Sequence, residues 1–253
     1  MLEQYIREKL KQKDILLMTH IVLGYPSFED SMRLVETMVE AGVDLIELQI
    51  PFSEPQADGP VIVAANQQAL AAGSSVARCV EFAREVSARF PIPFLFMSYY
   101  NIFYKYGPDA FTALAKDAGI RGAIVPDVPI EEGEDYLAAM GKSGLDPIFI
   151  YAPNSTLERM QAISAHASGF VYCVARKGVT GEQTQFSRDL ADYLARCRKA
   201  TTLPLALGFG VSEKADVDYL RGKADIAVIG SQALRIMDQQ GIPAVGDFLR
   251  SVQ

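Results

Sequence analysis

Short β-rich runs alternate with amphipathic stretches from one end of the chain to the other, the pattern of an α/β protein. The runs cover residues 15–23, 45–50, 93–99, 122–125, 147–151, 170–175, 204–207 and 226–229. They predict eight strands, each followed by a helical pattern. In the first of these helices Met32, Val35, Met38 and Val39 recur at helical spacing, Ser27 with Asp30 resembles a capping box at its start, and Gly42 marks its end. Eight β/α repeats in 253 residues match a closed (β/α)8 TIM barrel better than a doubly wound open sheet, which needs fewer strands and a switch point. A further helix over residues 2–11 precedes the first strand and is expected to cover the barrel bottom. No low-complexity linker or charge block divides the pattern, so one domain over residues 1–253 is expected.

Composition narrows the partners. With 49% hydrophobic and 22% charged residues and a mean hydropathy of +0.10, the chain has ample material for a core and no compositional case for disorder. A net charge of −7 disfavours non-specific nucleic-acid binding, while a small anion can still be held by local dipoles. Cys79, Cys173 and Cys197 are odd in number, far apart and share no CxxC spacing, so neither a disulfide framework nor a zinc site is indicated and a cytoplasmic setting fits. The uncharged stretch 59–77 carries Asn66, Gln67, Gln68, Ser74 and Ser75, too polar for a membrane span. The sequence MLEQYIREKLKQK at the N-terminus lacks the apolar centre of a signal peptide.

Two connections are long: residues 52–60 after the second strand and residues 176–185 after the sixth. In a barrel both fall on the C-terminal face, where chemistry is done. In the second strand Ile46, Leu48 and Ile50 alternate with Leu45, Glu47 and Gln49, which turns the first set to the helices and Glu47 into the barrel. An inward carboxylate is costly unless paired, solvated or protonated; it is either a structural glutamate bonded to a neighbouring strand or a functional one. In PFSEPQADGP, residues 51–60, Asp58 is followed by Gly59, and on spacing alone a turn aspartate bonding its own backbone is the better reading. Two carboxylates at a barrel mouth can otherwise divide acid and base roles. LGFGVS at 207–212 and IGSQ at 229–232 place glycines at consecutive strand ends, an arrangement that favours a phosphate site over simple turns. RKGVTGE at 176–182 reads as a mobile lid or, with the better claim by itself, a solvated loop. His20 and His166 have no Ser or Cys partner at a recognisable spacing, so a triad is unsupported, and His166 reads as a helix-end surface residue.

Taken together, IELQIPFSEPQADGPVI at 46–62, LGYP at 23–26, YYN at 99–101, PDVPIEE at 126–132, RKGVTG at 176–181, GFGVS at 208–212 and GS at 230–231 resemble the tryptophan synthase α subunit family over essentially the whole chain. The resemblance implies a lyase that splits indole-3-glycerol phosphate by a retro-aldol reaction into indole and glyceraldehyde 3-phosphate. It implies that indole passes to a β subunit, in an α2β2 complex, and that the pyridoxal phosphate sits on that partner, with no cofactor or metal on this chain. By the same resemblance Glu47 is the acid/base, Asp58 holds the indole N–H, and Tyr172 stands close to the glutamate. Gly181, Phe209, Gly210, Gly230 and Ser231 match the phosphate site, and Thr180 matches a lid threonine.

Three positions depart from the family pattern: Gln49 where glycine is usual, Glu54 where aspartate is usual, and His20 where a pocket phenylalanine is common. His20 and Gln49 belong to adjacent strands, so both are expected to face inward near Glu47 and to hydrogen-bond to each other or to it, occupying indole space. The alternative to an active lyase is therefore a catalytically weak subunit that binds a phosphate ligand and activates a β partner. Another phosphate-binding barrel, such as a sugar-phosphate epimerase, lacks its metal-ligand histidines here.

Overall fold

The computed structural model describes residues 1–174, 188–208 and 210–253. The first strand, β1 (Leu16–Val22), is fully buried and pairs in parallel with β2 (Leu45–Gln49) on one side and with β9 (Ile226–Ile229) on the other. The remaining strands are β3 (Phe94–Met97), β4 (Gly122–Ile124), β5 (Asp146–Ile148), β6 (Ile150–Tyr151), β7 (Val171–Val174) and β8 (Leu205–Gly208). All registered pairs are parallel, in the order β5-β4-β3-β2-β1-β9-β8-β7-β6. Nine strands stand where eight are expected because the fifth segment is split at Phe149. β5 bonds to β4 and β6 bonds to β7, so one continuous stretch of chain joins both ends of the sheet and completes the barrel. Side-chain alternation runs through the split: Ile148 faces the interior cluster, whereas Phe149 and Tyr151 join the outer one.

Two apolar layers result. Ile46, Leu48 and Ile50 pack outward against the helices, as alternation predicts, while Leu45 lies inside with Leu16, Met18, Leu95 and Ile226. The N-terminal helix α1 (Leu2–Lys9) closes the bottom of this interior: Leu2 and Ile6 are buried in the inner cluster. The Leu2 amide donates to Asp146 at the start of β5, 3.1 Å away, which ties the plug to the barrel wall. Helix α2 (Phe28–Glu40) begins as its sequence suggests, with the Ser27 hydroxyl accepting from the Asp30 amide. The Asp30 carboxylate accepts from that hydroxyl rather than from the Ser27 backbone, so only half of a capping box forms. Gly42 ends the turn at φ +84°. A full capping box is found instead at α10 (Lys214–Leu220), between Glu213 and Asp216.

Several connections hold two helices. α3 (Pro60–Ala71) and α4 (Val76–Arg89) separate β2 from β3, and α5 (Tyr100–Tyr106) and α6 (Pro108–Asp117) separate β3 from β4. α7 (Glu134–Ser143), α8 (Leu157–Ser164) and α9 (Arg188–Ala200) serve the next crossovers, and α11 (Ser231–Gln240) and α12 (Ile242–Ser251) close the chain. Cys79, Cys173 and Cys197 are buried free thiols. Among the described residues no helix is long and apolar enough to cross a membrane. Because Ile6 is fully buried beneath the barrel, Ile6→Ala should destabilise the fold by about 2–5 kcal/mol, the range for an aliphatic core truncation. A urea midpoint unchanged from wild type would show that α1 does not plug the interior.

Candidate active site

The barrel interior changes character at its C-terminal end. Above Met18 the next inward position of β1 is His20, and above Leu45 the inward positions of β2 are Glu47 and Gln49. Register sets His20 opposite Glu47 and Val22 opposite Gln49, so the imidazole lies between two polar side chains of the neighbouring strand. His20 Nδ1 is 2.9 Å from Glu47 Oε2, and His20 Nε2 is 2.9 Å from Gln49 Oε1. The Gln49 amide nitrogen donates to Asp58 Oδ2 at 2.7 Å. The Tyr99 hydroxyl donates to the same oxygen at 2.9 Å and accepts from the Ala57 amide. One hydrogen-bonded row therefore runs from Glu47 through His20 and Gln49 to Asp58 and Tyr99. His20 and Gln49 meet both expectations raised by their sequence positions, bonding to each other and, through the imidazole, to Glu47.

The 52–60 connection is folded inward to supply Asp58. Phe52 stacks on Tyr99 at 5.0 Å between ring centroids, and its amide donates to the buried Asn66 of α3. Asp58 is 8% exposed, and its carboxylate is directed to Gln49 and Tyr99. This corrects the turn reading. The turn lies just before it, closed by the Asp58 amide donating to the Pro55 carbonyl at 3.0 Å, while burial leaves the carboxylate in need of donors, which Gln49 and Tyr99 provide. Tyr99 was legible only as part of the YYN run; its role follows from position, since it continues the inward row Leu95, Met97 of β3.

Tyr172, on β7, is buried in the same interior cluster. Its ring lies over the backbone of Gly208 at the end of β8, where an added Cβ would stand 2.1 Å from a ring carbon. Gly208 thus makes room for Tyr172, a use of glycine that the sequence reading assigned to phosphate. Gly230 precedes the first turn of α11, with Ser231 its first residue, and a Cβ on Gly230 would lie 3.5 Å from that of His20. The N-terminus of α11 therefore borders the polar row. Gly210 has φ +109°, a conformation that favours glycine. Thr180, Gly181, Phe209 and the 176–185 lid segment lie outside the described residues. His166 is exposed just beyond α8, away from the site, as expected.

Burial raises the protonation tendency of both carboxyl groups. Glu47 is pushed above the usual carboxylate range by desolvation, with His20 opposing and Asp58 adding to the effect. Asp58 is raised by desolvation, against His20, Gln49 and Tyr99. For His20 burial acts downward, but the bond and charge of Glu47, the charge of Asp58 and the Gln49 bond outweigh it and raise the imidazole. Desolvation, then the charges of Glu47 and Asp58, hold the Tyr172 phenol in its neutral form. Glu47 Oε1 is buried and has no hydrogen-bond partner among the described residues. A buried carboxyl oxygen without a protein partner, beside a second carboxylate, is an arrangement that can exchange protons with a bound molecule.

A sequence model of the tryptophan synthase alpha chain family matches residues 6–245. The tryptophan synthase alpha chain of Syntrophotalea carbinolica is 63% identical over 253 residues, covering 100% of both chains. A chain of Mycobacterium tuberculosis tryptophan synthase superposes with a TM-score of 0.92 at 30% identity, covering 99% of this chain and 96% of that one. A chain of the tryptophan synthase complex of Pyrococcus furiosus gives 0.86 at 28% identity, with 94% and 97% covered.

Two outcomes follow from the site geometry. Gly208→Ala should displace the Tyr172 ring and lower stability by about 1–3 kcal/mol, as overpacking does; an unchanged urea midpoint and an unchanged tyrosine ring environment by NMR would refute the close contact. Glu47, raised on folding, holds more proton in the folded chain than in the unfolded one above its ordinary value of 4.5, so its contribution to stability falls as pH rises. The stability difference between wild type and Glu47→Gln should therefore move against wild type as pH rises above 4.5, and a pH-independent difference would contradict the raised carboxyl.

Proposed function

The chain belongs to the tryptophan synthase alpha chain family, and from that premise we propose that Glu47, Asp58 and Tyr172 form the centre that cleaves indole-3-glycerol phosphate in this protein. The α subunit of the family is a carbon–carbon lyase that releases indole and glyceraldehyde 3-phosphate. It carries no cofactor itself; pyridoxal phosphate belongs to the β chain, the partner to which indole passes. An α2β2 assembly agrees with the complex of the Pyrococcus furiosus relative.

The cleavage needs a proton on indole C3 and the removal of one from the side-chain hydroxyl. Glu47 supplies the first: protonation at C3 leaves positive charge on the ring nitrogen, and the C3–C1′ bond then breaks with its electron pair returning to the ring. The hydroxyl proton goes back to Glu47 as the aldehyde forms. Asp58 accepts the indole N–H and stabilises the charge that develops there. Gln49 and Tyr99 anchor it through Oδ2, so its direction is set before substrate enters. Tyr172, kept neutral and pressed against Gly208, forms a wall beside the glutamate. Gly210, Gly230 and Ser231, with Gly181 and Phe209, hold the phosphate, and Thr180 is the lid threonine. The N-terminal dipole of α11 supports this assignment, because it provides for an anion without requiring a cation.

The observation that carries the reading is the pair of buried carboxyls in one polar row, one of them with an oxygen that has no partner among the described residues. A role limited to regulation is not favoured, since both carboxyls are in place and the relative at 63% identity is itself a tryptophan synthase alpha chain. The 253 residues act as one barrel domain in this proposal, and a cytoplasmic location is part of it, supported by the free thiols and a biosynthetic family role. Glu47→Gln and Asp58→Asn should each lower the rate of indole release about 10²–10⁴-fold with the fold intact, the range for losing a positioned acid or base. Turnover within about threefold of wild type in either folded variant would remove that residue from its role.

A further inference from the structure

The polar row constrains where protons sit, by donor and acceptor counting alone. A primary amide has one acceptor oxygen and one donor nitrogen. Asp58 Oδ2 accepts from Gln49 Nε2 at 2.7 Å, and the reverse orientation would press the amide oxygen against a carboxylate. Gln49 Oε1 therefore faces His20 Nε2 at 2.9 Å. An amide oxygen only accepts, so this ring nitrogen carries the hydrogen.

The other ring nitrogen is then determined. With its hydrogen on Nε2, a neutral His20 has a bare lone pair on Nδ1, directed at Glu47 Oε2 at 2.9 Å. The contact is a hydrogen bond only if Glu47 is protonated, or if His20 takes a second proton and Glu47 is ionised. Both arrangements hold one proton between Nδ1 and Oε2. The arrangement without it sets a lone pair against a carboxylate in a buried site.

We propose that Asp58, Gln49 and His20 act together as a tautomer lock that keeps one proton on the His20–Glu47 pair for delivery through Glu47, His20 and Gln49 being positioning residues for the lyase reaction. The lock rests on the reading of Glu47 as the acid of that reaction. It also accounts for the return step: once the proton has gone to the indole carbon, the Glu47 carboxylate faces the bare Nδ1 lone pair, and uptake of the substrate hydroxyl proton relieves this. The proton count of the pair is restored at the end of each cycle.

The titratable groups facing the pair agree. From the 52–60 connection Asp58 contributes negative charge that favours a protonated imidazole. From β7 Tyr172 and from the end of β3 Tyr99 are phenols that burial keeps neutral. Desolvation raises Glu47 against the opposing bond and charge of His20, and the bond and charge of Glu47 raise His20 against desolvation, so the pair as a whole retains a proton. The two polar departures from the family pattern thus act on the acid rather than merely occupying indole space.

The chain has two histidines, which allows a direct test. In protein labelled with ¹⁵N-histidine and free of substrate, His20 Nε2 should stay protonated from about pH 6 to pH 9, with exposed His166 giving the second set of signals. Gln49→Met removes the amide at similar volume, so His20 should change to the Nδ1–H tautomer, donating to an ionised Glu47. The alkaline limb of the pH–rate profile should then move down by about 1–2 pH units, the equivalent of one uncompensated buried contact. A merely structural glutamine would lower stability without moving that limb. Should Gln49→Met fail to fold, Gln49→Leu removes the same amide while keeping His20 beside Glu47, and the same downward movement is expected. A wild-type His20 with its hydrogen on Nδ1 and Nε2 bare, or an alkaline limb unmoved in the folded variant, overturns the lock. The lock and the reading beneath it fail separately: an active Glu47→Gln variant beside a protonated Nε2 removes the acid role of Glu47, whereas an inactive one beside a bare Nε2 removes only the lock.

Discussion

The hydrogen bond between His20 and Glu47 is the contact on which the site depends. A carboxyl fully enclosed in a barrel is unfavourable by itself, and here only one of its oxygens is paired within the described chain. The pairing works because β1 and β2 are held in a parallel register that puts His20 opposite Glu47. A one-residue slip of β2 would turn Glu47 to the helix-facing layer and away from His20. Register in turn depends on the packing below, where the inner rows of Leu16, Met18 and Leu45 close over the α1 plug. The polar chemistry at the mouth is thus positioned by the apolar layers beneath it.

The same dependence explains the division of labour along the second strand. Ile46, Leu48 and Ile50 fix the strand against the outer helices, and Glu47 and Gln49 inherit their inward direction from that contact. Asp58 has no such strand to hold it. It reaches the interior because the 52–60 connection is pinned at Phe52 by Asn66 and by stacking on Tyr99. The second carboxyl is therefore fixed by side chains from α3 and the end of β3, and it responds to substitutions remote from it in sequence.

Periodicity made the barrel legible: each of the eight expected strand segments lies where the alternation puts it, and the terminal helix covers the bottom. The division at Phe149 was not legible, because it concerns which neighbour each backbone group bonds, while the side-chain pattern of residues 147–151 continues through it. Strand alternation also placed Glu47, Gln49 and His20 inside. It could not orient Asp58, for a loop carboxylate has no period to read and the local Asp-Gly signal describes its backbone alone. The packing role of Gly208 is hidden for a related reason. Its purpose is set by Tyr172 on the adjacent strand, and nothing in LGFG identifies the ring that occupies the missing side chain's volume.

An amide and an imidazole at the C-terminal end of the barrel interior stand where the layers beneath them are apolar. The compensation lies in satisfaction: Gln49 pairs on both sides of its amide, and both ring nitrogens of His20 are engaged. Removing either partner alone leaves a dry polar group unpaired, whereas exchanging both for apolar residues leaves none. Changes at the two positions are therefore coupled. Asp58 gains a donor from the Gln49 amide. That is why the row extends from one carboxyl to the other, rather than ending at the histidine.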